Sequence, residues 1–112
     1  MVQLKHQQVE ISVSMVVDSG ADFSVISHNM GKNLGFILAE AEQTLPAQGL
    51  GGTADFVLRS LTMTIDQHTF IAPVAWLQDN NCIEEIMGRE VVFDKFNIEF
   101  RQAQIIFSWR DE

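Results

Sequence analysis

The sharpest chemistry in the sequence sits in Val16-Val17-Asp18-Ser19-Gly20-Ala21-Asp22. An acidic residue follows directly on an apolar stretch. Burial disfavours a charged carboxylate, so one placed at the end of an apolar strand needs partners. Ser19 adds a hydroxyl that can donate and accept. Gly20 lets the backbone turn tightly or another chain approach closely. Together these residues describe a carboxylate presented on a tight turn. Asp-Ser-Gly is also a common turn tripeptide, so an ordinary turn stays open as the plain reading. Two further segments stand out. Gly49-Leu50-Gly51-Gly52 is glycine-rich and by itself reads as a flexible loop. Ile86-Met87-Gly88-Arg89-Glu90 by itself reads as a strand-to-helix turn with a surface arginine.

Other reactive side chains offer less. The single cysteine, Cys82, has no nearby base in sequence, so a nucleophilic thiol is not expected. One cysteine also excludes an internal disulfide and a multi-cysteine metal site. His6, His28 and His68 share no ligand-like spacing. No metal or cofactor is therefore expected. His28 and His68 read as surface or cap residues, and Glu84-Glu85 as a solvated loop.

The elements that must position Asp18 are mostly strands. Val9, Ile11, Val13, Met15 and Val17 alternate with largely polar residues, which predicts one half-buried strand ending at Asp18. Residues 2–5 are expected to pair with it through a turn near His6–Gln8. Residues 23–26 favour a short strand. Ser27 can cap a small helix carrying Met30 and Leu34, with Gly35 stopping it. Ala54, Phe56 and Leu58 alternate, followed by Leu61, Met63 and Ile65. Residues 66–68 suit a hairpin turn, residues 70–76 a return strand, and residues 90–96 a short helix. Residues 97–100 and 104–109 form a final hairpin. Trp76 and Trp109 are expected as core or interface anchors, and Phe93, Phe96, Phe100 and Phe107 as core and dimer contacts. Many short strands with a helical turn or two predict a single all-β domain over residues 1–112, a small barrel.

Composition limits the function classes. The chain has 112 residues, which fits one domain, and 46% are hydrophobic, enough for a core. The apolar runs are too short to span a membrane. Fifteen acidic residues against seven basic ones give a formal charge of −8. That argues against nucleic acid or an anionic membrane as partner. One cysteine and no visible export signal give a cytoplasmic expectation.

The order of the three segments resembles the retropepsin-like, single-lobe aspartic proteases, in a cellular or bacterial style. Residues 16–21 are similar to that family's hydrophobic-hydrophobic-Asp-Thr/Ser-Gly-Ala loop. Residues 49–52 stand where the family has its glycine-rich flap. Residues 86–90 resemble its hydrophobic-hydrophobic-Gly-Arg-Asp/Asn segment. The likeness runs from about residue 9 to residue 107.

The resemblance implies an all-β acid-protease barrel with one short C-terminal helix and one lobe per chain. It implies an aspartic endopeptidase acting on polypeptide with no cofactor. Because the chain carries one Asp-Ser-Gly and the chemistry takes two carboxylates, it implies a homodimer. Asp18, Ser19 and Gly20 would be the catalytic segment. Ser19 would bond across the dimer, and Gly20 would offer its carbonyl to substrate. Ala21, Asp22, Gly49, Leu50, Gly51 and Gly52 would meet substrate. Gly88 and Arg89 would support the site, with Arg89 pairing Asp22 in a partly buried contact. Three departures stand out: an N-terminal strand that looks short, a flap without an aromatic residue, and serine in place of threonine. A non-catalytic dimerisation or peptide-binding module on the same fold is the rival reading. An unrelated small barrel with a chance Asp-Ser-Gly turn is the third.

Overall fold

The computed structural model describes residues 1–39, 42–49, 52–79, 84–101 and 104–110. Among the described residues, ten strands and two short helices follow one another: β1 (Val2–His6), β2 (Val9–Val13), β3 (Val16–Val17), β4 (Ser24–Ile26), α1 (His28–Asn33), β5 (Leu45–Gly49), β6 (Gly52–Ile65), β7 (His68–Leu77), β8 (Ile86–Met87), α2 (Val92–Lys95), β9 (Phe96–Arg101) and β10 (Gln104–Trp109). Eight form one sheet in the order β2-β1-β6-β7-β4-β8-β3, with β5 added on β6. β9 and β10 make a separate two-stranded sheet. The all-β expectation holds, with the short C-terminal helix present as the four residues of α2. None of the helices among the described residues is long and apolar enough to cross a membrane.

Local sequence explains the main turns. β1 and β2 pair antiparallel with His6 opposite Val9, so the turn is Gln7–Gln8. β6 and β7 pair antiparallel over ten residues, with Ile65 opposite His68. Asp66 and Gln67 between them both take positive φ, 49° and 70°. That two-residue, left-handed turn matches the twist of the flanking strands. Ser27 caps α1, its hydroxyl accepting from the Met30 N–H, and Gly35 follows the helix at φ 92°.

The predicted strand up to Asp18 is in fact two. β2 ends at Val13 and β3 begins at Val16. β2 pairs with β1, whereas β3 pairs parallel with β8. The apolar alternation runs unbroken through Met15, so side-chain periodicity alone hides this change of partner. β6 shows a second difference. Its buried residues are Val57, Leu61, Met63 and Ile65, while Leu58 is exposed. The inward face therefore carries odd numbers, opposite in phase to the Ala54-Phe56-Leu58 alternation. A strand apolar on both faces does not declare which one is inside.

The core is continuous from Val2 and Leu4 through Ile26, Leu34, Leu61, Met63, Val74, Trp76 and Met87 to Val92 and Phe96. Each such side chain contributes roughly 1.5–3 kcal/mol when fully buried. Trp76 is its largest member. Its Nε1 donates to the His28 carbonyl at 3.1 Å, and the His28 ring stacks on it 7° from parallel. His28 is thus half-buried against the core and not a plain surface residue. His68 likewise stacks on Trp109, 4.4 Å between centroids. Ile26 and Met87 matter most for the site, because β4 and β8 carry the two segments that shape the Asp18 loop.

Candidate active site

β8 lies between β4 and β3, parallel to β3 and antiparallel to β4. Its backbone fixes the approach to Asp18. The Val16 N–H donates to the Glu85 carbonyl and the Asp18 N–H to the Met87 carbonyl, each at 2.9 Å. Buried Met87 anchors the strand that makes these bonds. Beyond Asp18 the chain turns at once. The Ala21 N–H donates to the Asp18 carbonyl at 3.2 Å. The Gly20 N–H donates to Asp18 Oδ1 at 2.9 Å, so one carboxylate oxygen is held by the loop's own backbone. A Cβ at Gly20 would sit 3.2 Å from that oxygen. Asp18, Ser19 and Gly20 are exposed in the single chain.

The far arm of the loop, residues 21–24, is tied to residues 88–90. The Arg89 N–H donates to the Ala21 carbonyl at 2.9 Å and the Glu90 N–H to the Asp22 carbonyl at 2.7 Å. The Gly88 N–H donates to the buried Ser24 hydroxyl at 3.1 Å. The Arg89 guanidinium pairs with Asp22 Oδ1. In the single chain this pair is exposed, at 54% for Arg89 and 73% for Asp22, so the partly buried contact expected from the sequence is not its state here. An exposed pair contributes little to stability; its value is directional. Glu85 also differs from the solvated-loop expectation. Its Oε1 accepts the Ser27 N–H at 3.1 Å, joining the β8 approach to the cap of α1.

Just after this segment the backbone is strained. Val91 has φ 68° and ψ −48°, and the Val92 N–H donates to the Glu90 carbonyl at 2.8 Å. That closes a three-residue γ-turn in its rare form, on a β-branched residue. The Phe93 N–H then donates to the Arg89 carbonyl, starting α2 directly behind the arginine.

The structure thus gathers Asp18, Ser19, Gly20, Ala21, Asp22, Gly88 and Arg89 at one place. Gly49 and Gly52 belong to a different feature. They face each other at the end of the β5–β6 hairpin, with Leu45 opposite Phe56 at its root. Leu50 and Gly51 lie outside the described residues. In sheet order β7, β4 and β8 separate this hairpin from β3.

The sequence reading missed the hairpin's anchor. Arg59 on β6 holds Glu42, just before β5, with two bonds of 2.5 and 2.7 Å. It also donates to the Ile37 carbonyl at 3.0 Å, and its guanidinium lies over Trp76 at 5.7 Å from the ring centroid. The Arg59 bonds, with help from the Ala39 N–H, pull the Glu42 carboxyl from 4.5 down to about 2. No motif or helical spacing links two residues 17 apart, so no local signal marks this pair.

An aspartyl protease family model matches residues 2–91, a span that holds the Asp18 loop, the hairpin and Gly88-Arg89. The chain belongs to the aspartyl proteases. Its architecture is that of the single-lobe, retropepsin-like members. Among solved structures it is similar to the EIAV protease complexed with the inhibitor HBY-793, at 17% identity and a TM-score of 0.59. That match covers 83% of this chain and 82% of the viral one, and it shows the fold. No curated protein matches the sequence. Membership of this hydrolase family makes a proteolytic role the coarse functional conclusion for this aspartyl protease.

Proposed function

We propose that this aspartyl protease is a homodimeric endopeptidase whose active site holds one Asp18 from each subunit. The observation that carries the reading is the Asp18 loop itself. Its carboxylate is oriented by the Gly20 N–H, its backbone is held by Met87, and it stands exposed on the surface of a chain that has one such loop. Exposure of a backbone-oriented carboxylate suits a group completed by a second copy.

The chemistry follows from two carboxylates sharing one site. In aspartic-protease dyads generally, both cannot ionise cheaply, so they hold one proton between them. The ionised Asp18 takes a proton from water as its oxygen attacks the peptide carbonyl. The protonated Asp18 gives its proton to the carbonyl oxygen. The gem-diol then collapses: one hydroxyl returns its proton to the dyad, the C–N bond breaks, and the nitrogen takes a proton from the other carboxyl. The products are a carboxylic acid and an amine, and the dyad again holds one proton. No covalent enzyme intermediate forms.

Supporting roles follow the same reading. Ser19 bonds across the two loops, Gly20 and Asp22 meet the substrate backbone, and Arg89 holds Asp22 in place. The glycine-rich segment Gly49-Leu50-Gly51-Gly52 acts as a flap over bound peptide. The substrate is polypeptide with apolar residues at the cleaved bond, as clefts of this kind are mostly apolar.

The test is peptide cleavage by the purified chain in mildly acidic buffer, with products identified by mass. Asp18→Asn, which keeps the shape and the Gly20 contact but not the ionisable group, is expected to cleave about 10²–10⁴-fold more slowly. Cleavage that persists undiminished in Asp18→Asn assigns the chemistry elsewhere.

A further inference from the structure

Glu85 bonds in two directions at once. Its carbonyl accepts the Val16 N–H at 2.9 Å, at the head of β3 and just before Asp18. Its Oε1 accepts the Ser27 N–H at 3.1 Å, at the head of α1. β8 begins at the next residue, and among the described residues it pairs with β4 at one position, Val25 opposite Ile86. The far end of β8 is held by the Gly88 N–H on the Ser24 hydroxyl. The Glu85 side chain ties the near end.

The Ser27 end is a helix cap with one part supplied from outside. In a capping box the N-cap hydroxyl accepts from the N–H of the third helical residue, and a Glu or Gln at that residue reaches back to the N-cap N–H. Ser27 makes the first bond, to the Met30 N–H at 3.1 Å. Met30 stands where the second acceptor would be, and its thioether is a weak one. Glu85, 58 residues away, takes that bond instead. Ser27 is buried, so its N–H needs a partner. α1 in turn is locked onto the core. Trp76 Nε1 donates to the His28 carbonyl at 3.1 Å, and His28 Nδ1 lies 3.1 Å from the Leu77 carbonyl. A Cβ at Gly31 would fall 2.0 Å from Trp76 Nε1. The Glu85 carboxylate therefore grips an element seated tightly on Trp76.

We infer that Glu85 is a positioning residue for the cleavage reaction. Its side chain sets where β8 stands relative to α1. Its carbonyl passes that setting through Val16 to the Asp18 carboxylate. The inference rests on the reading of Asp18 as the reacting group. Reach decides the role, and charge does not. A side chain of glutamate length spans from the start of β8 to the Ser27 N–H. One carbon less leaves that N–H unmet or draws β8 toward α1. Either shifts the strand pairing that carries Asp18, and a misplacement of about 1 Å can cost about 10²-fold in rate.

Two conservative variants test it together. Glu85→Gln keeps the length and an acceptor oxygen without the charge, and Glu85→Asp keeps the charge without the length. kcat and KM are measured on a peptide the wild type cleaves, at concentrations where sedimentation shows the same assembly for all three chains. Amide hydrogen exchange at Val16 and Asp18 is followed beside that at Met63 and Val74 in the central strands. Glu85→Gln is expected to match wild type in rate and exchange. Glu85→Asp is expected to lose about ten-fold or more in kcat with KM nearly unchanged. It is also expected to speed exchange at Val16 and Asp18 more than at Met63 and Val74, which report unfolding of the whole chain. If Glu85→Asp is less stable but turns over at the wild-type kcat, Glu85 is a helix cap only and the inference falls. If Glu85→Gln is as slow as Glu85→Asp or slower, charge is what acts and the inference falls again. In both cases the protease reading stands. If the wild-type chain cleaves no peptide, the protease reading fails and exchange decides the rest: a selective rise at Val16 and Asp18 in Glu85→Asp alone keeps Glu85 as the residue that places Asp18, and its absence removes that role too.

Discussion

The Gly88 N–H donates to the buried Ser24 hydroxyl at 3.1 Å, joining residues 64 positions apart directly behind the Asp18 loop. The contact needs glycine. A Cβ at position 88 would lie 2.3 Å from the Phe23 carbonyl oxygen and 2.9 Å from that of Ala21. Both are backbone atoms, so relief requires moving the loop. Gly88→Ala is expected to destabilise by about 1–3 kcal/mol, as overpacking does, and to lower cleavage through a shifted Asp18. Denaturant unfolding beside a rate assay checks both; wild-type stability would mean that the loop yields freely.

Asp18→Asn separates chemistry from folding. Asn keeps a side-chain oxygen for the Gly20 N–H at 2.9 Å, so the turn is expected to survive with unfolding unchanged. Loss of proton transfer is expected to cost the cleavage rate about 10²–10⁴-fold. Unfolding curves and single-turnover rates on the same preparations read the two effects apart.

Arg89→Lys tests direction against charge. Lysine keeps the charge but lacks the planar fork that aims one N–H at Asp22. The pair is exposed in the single chain, so unfolding of dilute monomer is expected to change by less than about 0.5 kcal/mol. Dimerisation and cleavage are expected to weaken, because the proposed site needs the Asp22 carboxylate held in place. An unchanged dimer constant and rate would leave Arg89 a surface residue.

How much of this was legible in the sequence depends on the range of each interaction. Asp18-Ser19-Gly20 and Gly88-Arg89 are local strings whose types declare a turn and a close approach, and the fold brings both together. The Asp66–Gln67 turn and the Ser27 cap were legible for the same reason. The break between β2 and β3 was not, because the alternation through Val13, Met15 and Val17 continues while the backbone changes partner. The inward face of β6 was hidden because Phe56 and Leu58 are as apolar as Val57 and Leu61. Glu85 on the Ser27 N–H and Arg59 on Glu42 are contacts between distant segments, and only the folded chain shows them.

Glu42 carries a pH prediction. The Arg59 bonds lower its carboxyl from 4.5 to about 2 in the folded chain. A group whose folded value is depressed adds stability that is fully present above its unfolded value and is lost as pH falls through the folded one. The strap at the root of the β5–β6 hairpin is therefore expected to be complete above pH 4.5, to weaken as pH falls below it, and to be gone below about 2. The hairpin root therefore stays tied through most of the acidic range. Glu42→Gln removes the titrating group, so its unfolding midpoint is expected to depend less on pH between those two values than that of wild type. Arg59→Gln is expected to behave alike, since the carboxyl then loses the partner that depresses it. Midpoints measured at intervals across that window decide the matter: parallel curves for wild type and Glu42→Gln would show that the pair breaks in solution and leaves the hairpin root to the Trp76 cluster alone.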